Sequence, residues 1–330
     1  MNTVIKTYFI WPIYVTIIGF AVVWYEAGIA ALALVALLSI LEITLSFDNA
    51  VVNAKILERM DPVWQRRFLT WGILVAVVGT RCILPIIIVS TAVWISPLTI
   101  TTLAFTNPAE YGELLESVRG SITAFGGVFL LMVSLKYFFD AAKSVHWIKQ
   151  IERHFVKWGR MEAIEISIAI AILICLSFTP LYDQAEVLIA GFIGLLLFIV
   201  MEGVSGSLSV EPSHVAKSGL TLFIYLNVLD SAFSLDSVVG AFALTNNLLI
   251  IMVGLGIGAY FVRSLTLYMV ARKTLMHLVY LEQGAHWAIL GLAIAMLATL
   301  VTHVPEVITG LVGLLCVSLA YRASVRAIPK

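Results

Sequence analysis

Apolar residues run along this chain in long blocks with few polar interruptions, and short basic clusters separate the blocks. A half-buried strand would alternate with period two, and a soluble helix would return polar residues every three or four positions. Blocks of about 20 apolar residues instead match the thickness of a bilayer crossed as helix. Ten blocks are expected to span, near residues 8–25, 29–54, 68–93, 121–141, 164–181, 186–206, 219–245, 248–270, 286–303 and 306–321. The expected fold is therefore an all-α polytopic membrane protein. Its parts read as an additional N-terminal helix (1–28), a first transmembrane repeat with an outer loop (29–142) and a cytoplasmic amphipathic segment (143–162). Connecting helices (163–217), a second, inverted repeat (218–303), and a C-terminal helix with a basic tail (304–330) follow. The first block is expected to be a retained helix, because no Ala-x-Ala site follows it.

Composition sharpens this picture. The chain is 61% hydrophobic and 12% charged, with mean hydropathy +1.02, against about 25% charged residues in a soluble domain. Sixteen of the twenty Lys and Arg fall on one side of the ten-span topology, and only Arg119 falls on the other. Arg81, Lys136 and Arg263 lie inside spans. Since basic loops stay in the cytoplasm, both termini are expected there, in a bacterial inner or plasma membrane. The stretch 95–120, with Glu110, Glu113 and Glu116, reads as a solvated outer loop. Residues 143–160 interleave Trp147, Ile148, Ile151, Phe155 and Trp158 with Lys143, Lys149, Arg153, Lys157 and Arg160, a pattern suited to a helix lying on an anionic leaflet. Cys82, Cys175 and Cys316 and the six histidines are scattered, with no metal-ligand or disulfide spacing. Nothing points to nucleic acid.

The candidate chemistry lies in two matched stretches inside spans. Glu42-Ile43-Thr44-Leu45-Ser46-Phe47-Asp48-Asn49 and Asp230-Ser231-Ala232-Phe233-Ser234-Leu235-Asp236-Ser237 both read acid-x-x-x-Ser-x-Asp-(Asn or Ser). A carboxylate in hydrocarbon costs at least a few kcal/mol, so it needs a partner or a function. The following span in each half carries one arginine, Arg81 and Arg263. Spans two and seven are an odd number of crossings apart and so run in opposite directions. That is the mark of inverted three-helix repeats, which place a site at the midplane.

On a regular helix Glu42, Ser46, Asn49 and Asn53 share a face, and Asp48 stands about 100° from Asn49. Asp230, Ser234 and Ser237 share a face likewise, with Asp236 to the side. No Gly or Pro between Ile29 and Lys55 calls for a break in the first copy, while Gly240 permits one in the second. An all-oxygen set suits a hard divalent cation, Mn2+, Ca2+ or Mg2+. The plainer expectation is that Arg81 pairs with Glu42 or Asp48, and Arg263 with Asp230 or Asp236; the arginines then fill the site until metal arrives. Buried carboxylates also carry protons, which makes metal–proton antiport the coupling to test. Glu202 is expected as an accessory or gating residue. Lys136 and Asp140 are expected to pair across one turn, and Gly254, Gly256 and Gly258 to let helices approach closely.

In these motifs and their arginines the chain resembles the TerC family of integral membrane proteins, associated with tellurium resistance and grouped with lysine-exporter-like transporters. The resemblance covers roughly residues 29–303 and points to a TerC-like subgroup of unknown function. It implies metal export, with Mn2+ as substrate, and it implies Glu42, Asp48, Asn49, Asp230, Asp236 and Ser237 as ligands. Ser46, Ser234, Arg81, Arg263 and Glu202 would be accessory. The alternative is a membrane scaffold or metal-loading factor holding soluble stress-resistance partners at its cytoplasmic side. An enzyme is not expected: an intramembrane aspartyl protease needs Gly-x-Gly-Asp, and Gly256-Ile257-Gly258 is followed by Ala259. An amino-acid exporter would have no need of four acids.

Overall fold

A computed structural model describes residues 8–58, 60–159, 161, 163–207, 215–245, 247–272, 278–302, 304 and 306–327. The basic residues Lys6, Arg59, Arg160, Lys273 and Lys330 lie outside them, as do the side chains of Lys217 and Asp236. The described residues form helices joined by turns and form no strand. In chain order the helices are α1 (Ile10–Ala27), α2 (Ile29–Leu45), α3 (Phe47–Leu57), α4 (Pro62–Leu74), a π-helical turn (Val75–Ile83), α5 (Leu84–Val93), α6 (Pro97–Thr106) and α7 (Pro108–Ser117). Then come α8 (Arg119–Phe139), α9 (Lys149–Trp158), α10 (Ile164–Ser177), α11 (Gln184–Ser207), α12 (Val215–Leu244), α13 (Leu248–Ala271), α14 (Leu281–Thr299) and α15 (Glu306–Ala327).

Among the described residues, five helices (α1, α8, α11, α13 and α14) are long and apolar enough to cross a bilayer, and up to seven spans result if each of two bent pairs counts as one. The exposed apolar side chains on α1 and α11, among them Trp11, Ile17, Ile189 and Leu196, fit a lipid-facing surface. Residues 95–120 differ from the expected loop: they fold as α6 and α7. Pro97 and Pro108 each sit in a first turn, where a missing N–H costs nothing, and Ser96 accepts from the Thr99 amide at 3.2 Å.

The core has a small centre made by Leu57, Met60, Phe68 and Leu226 and two large ones. One surrounds α8, with Phe129, Leu130, Met132 and Phe138 packed against α3, α11 and α14; the other lies between α2 and α13 and reaches Ile100, Tyr111 and Leu115. Glycine makes the second centre close. A Cβ on Gly254 would stand 2.7 Å from Leu38 Cβ, and one on Gly258 would stand 2.5 Å from Glu42 Cβ and 2.9 Å from the Ser39 carbonyl. Ser39 Oγ crosses this seam to the Gly254 carbonyl at 2.9 Å. Small residues thus bring the helix carrying Glu42 against the helix carrying Arg263, as expected of this glycine run.

At one end of the bundle α9 is clasped to the ends of α8 and α14. Glu152 is sealed from solvent and accepts from Trp287 Nε1 at 3.0 Å and from the Ile148 amide at 3.1 Å, while Lys143 Nζ approaches it at 2.9 Å and His146 at 3.6 Å. Burial alone would raise its carboxyl, but these bonds outweigh burial and hold it below the ordinary glutamate range. Burial, partly offset by Glu152, lowers Lys143 from the usual lysine range. The opposite side of α9 exposes Lys149, Arg153, Lys157, Ile151 and Trp158, as the amphipathic reading expects.

Two outcomes follow. Gly258→Ala should cost about 1–3 kcal/mol through overpacking and lower the unfolding midpoint read by heating and size-exclusion. Gly203→Ala, where an added methyl meets nothing within 4 Å, should leave that midpoint unchanged. A carboxyl with a depressed folded value stabilises above its unfolded value of about 4.3 and loses that contribution as pH falls through the folded value. Acidification below about pH 4 should therefore release α9 to proteolysis. Glu152→Gln should release it at neutral pH and flatten the profile.

Candidate functional site

The first acidic motif sits on a broken helix. The chain bends by 51° between α2 and α3, at Ser46, whereas the second motif lies within the unbroken α12. This reverses the expectation drawn from the missing Gly or Pro and from Gly240. Polar side chains accommodate the bend: Ser46 Oγ donates to Glu42 Oε1 at 3.0 Å, and Asp48, in the first turn of α3, turns its carboxylate to the amides of Asp48 and Asn49. The new helix end presents positive N–H groups there, which an acid complements.

Arg81 reaches this break from the π-helical turn. Pro85 has no N–H to donate back into that turn, which loosens the ladder and favours the wider winding. Its Nη2 pairs with Glu42 Oε1, and both side chains are almost wholly buried. The second motif arrives on α12: Asp230 Oδ1 accepts from Asn49 Nδ2 at 2.6 Å, joining residues 181 positions apart. Arg263, from α13, lays its guanidinium 3.8 Å over the Phe68 ring, against Gly72, where an added Cβ would meet Nη1 at 2.7 Å. Its Nη1 and Nη2 make no hydrogen bond, contrary to the expected pairing of Arg263 with an acid; among the described side chains, stacking on Phe68 takes its place.

Between these groups lies a cavity of about 10 Å³, lined by Glu42, Ser46, Asn53, Arg81, Asp230 and Arg263 among others, which is room for about one water molecule. Several buried oxygens around the break have no hydrogen-bond partner: Glu42 Oε2, Asp48 Oδ1, Asn49 Oδ1 and Asn53 Oδ1. Such atoms cost about 1–3 kcal/mol each when left unsatisfied.

Not every expected residue joins this cavity. Asp48 is buried beside it without lining it. Ser234 and Ser237 are buried on α12, and their hydroxyls donate to the carbonyls of Asp230 and Ser234 at 2.7 and 2.9 Å. The Asp236 side chain lies outside the described residues. Glu202 lies elsewhere, 3.7 Å from Lys136, which also approaches Glu165 at 3.8 Å. That contact replaces the expected Lys136–Asp140 pair: the helix ends at Phe139, so Asp140 leaves the helical register. Among the described residues no three His, Cys, Asp or Glu side chains stand close enough to hold a metal ion together.

Sequence reasoning missed Phe68, Ser39 and His286. Phe68 carries no polar signal, and Ser39 looks like any intramembrane serine. The one clue for His286 was its spacing of four from Glu282.

Removing one partner of a buried ion pair typically costs about 3–5 kcal/mol, while removing both costs far less. Glu42→Gln and Arg81→Met should each lower the unfolding midpoint sharply, and the double variant should recover much of the loss. Additive single effects would show that the two side chains do not act as a pair.

With this geometry in place, comparison adds one identification. No curated protein and no solved structure matches the chain. Residues 47–329 match the family described as protein of unknown function (DUF475), a stretch that takes in Asp48, Arg81, both acids of the second motif and Arg263 but starts after Glu42. The chain belongs to that family, DUF475.

Proposed function

We propose that this chain is a membrane transporter that exports a divalent metal cation, Mn2+ first among the hard cations, through the site at the α2–α3 break. The observation that carries the reading is the Asn49–Asp230 bond, which joins the two acidic motifs beside unsatisfied oxygens of Glu42, Asp48, Asn49 and Asn53. Carboxylate and amide oxygens are the donors such cations take. Ten crossings, two inverted three-helix repeats and both termini in the cytoplasm belong to the same proposal, as does the kinship with TerC transporters that the motifs suggest.

In this reading the two arginines balance the acids whenever no cation is bound. Arg81 neutralises Glu42, and Arg263 supplies a second positive charge near Asp230. A divalent ion would take over the first role: Glu42 leaves Arg81, and Asn49 and Asp230 turn their oxygens to the metal. Asp48 joins when α3 pivots about Ser46, and Asp236 and Ser237 complete the set from α12. Ser46 and Ser234 offer neutral oxygens, and protons returning on the released carboxylates would couple export to antiport.

The test is efflux from vesicles loaded with Mn2+. Asp48→Asn combined with Asp230→Asn should reduce efflux at least about a hundredfold, which is what loss of some 3 kcal/mol of site interaction amounts to, with expression unchanged. Wild-type rates in that variant would remove the site from the mechanism. A wild-type protein that moves no metal would remove the transport reading itself.

A further inference from the structure

A second, wider cavity plays no part in the site above. It measures about 480 Å³, opens at the end of the bundle where α9 is clasped, and is lined by residues of α3, α8, α11, α12 and α14. Val52 and Ile56 of α3 line it, so it begins within one turn of Asn53 in the inner cavity. Lys55 spans to Glu282 at 3.0 Å, and both line the cavity.

His286 is the informative group. It is 8% exposed, lines the cavity, and stacks on Tyr137 with ring centroids 3.5 Å apart and planes 8° from parallel. Its Nδ1 lies 2.8 Å from the Glu282 carbonyl. A carbonyl only accepts, so Nδ1 carries the proton, and in the neutral ring Nε2 keeps its lone pair. Among the described residues no hydrogen bond occupies Nε2. An imidazole fixed by an Nδ1–H bond to a carbonyl, with Nε2 open, is the arrangement that metal-binding histidines use. The Glu282 side chain is one turn away on the same face of α14.

We propose that this cavity is the inner vestibule of the transport site, and that His286 Nε2 and the Glu282 carboxylate form a capture site there for a divalent transition metal. Lys55 is the resident cation: its ammonium holds Glu282 until metal displaces it, and water fills the remaining coordination positions. An imidazole nitrogen favours Fe2+ or Zn2+, and to a smaller degree Mn2+, over Mg2+ and Ca2+, so the vestibule selects among cations that the inner, all-oxygen site would accept alike. Lys55 and the inner ligands Asp48, Asn49 and Asn53 ride on the same helix, α3, so freeing Lys55 frees the lower end of the element that must pivot. The inference rests on the transport reading for its purpose and stands apart from it for its test.

Mn2+ titrated into the purified full-length protein is followed by electron paramagnetic resonance, with pulsed detection of nitrogen coupling. Imidazole-nitrogen modulation is expected on bound Mn2+ in the wild type and in Asp48→Asn/Asp230→Asn, unaffected by excess Mg2+ and absent in His286→Gln. Should His286→Gln not fold, Lys55→Gln serves instead. It alters a partly exposed side chain and should tighten Mn2+ binding about tenfold or more, because a competing ammonium is gone. Mn2+ that binds without nitrogen modulation, modulation that survives His286→Gln, displacement by Mg2+, or unchanged affinity in Lys55→Gln would each overturn the vestibule site. Nitrogen modulation in a protein that moves no Mn2+ would instead sink transport and leave this site standing.

Discussion

A carboxylate enclosed by apolar helices must be compensated, and here Arg81 compensates Glu42. The pair explains features that otherwise look unrelated. Glycine at 254 and 258 lets α13 lie against α2, so that water is kept from Glu42. The π-helical turn aims Arg81 across the interior, and Ser46 adds a third group to the same carboxylate oxygen. Replacing such a pair by apolar residues is often harmless to stability. Its presence therefore speaks for a task that needs charge, since packing alone would not require it.

The two motifs are alike in sequence and unlike in conformation. In the first, the acid, the serine and the aspartate surround a bend; in the second, the serines satisfy their own helix and the rod stays straight. The hydrogen bond between Asn49 and Asp230 couples the bent element to the straight one. The clasp at Glu152 and the stacking of His286 on Tyr137 tie the same end of the bundle to α8, its most enclosed span.

Much of this was legible in the sequence because hydrocarbon is an unforgiving solvent. Long apolar blocks declare helices, and acids within them declare a site, so Glu42, Asp230, Arg81 and Arg263 could be named before any coordinates. That Arg81 would pair with Glu42 or Asp48 followed from charge, and the structure selects Glu42. Three things did not follow. The bend at Ser46 uses hydrogen-bonding side chains and lacks the glycine or proline that normally announces one. The stacking of Arg263 on Phe68 depends on which face of α4 turns inward, which an almost uniformly apolar helix does not encode. The helix α7 was hidden by polar composition and α6 by its shortness, although their prolines and the Ser96 cap were in view.

The bend at Ser46 has one more consequence. Backbone bonds run up to it from either side and meet at Ser46, from the Ser46 amide to the Glu42 carbonyl at 2.9 Å and from the Ala50 amide to the Ser46 carbonyl at 3.1 Å. Straightening or deepening the angle would therefore strand few peptide groups in a medium that offers them no water. A joint of this kind can flex repeatedly without unravelling, and what limits its swing is the electrostatic cost of the side chains it drags along.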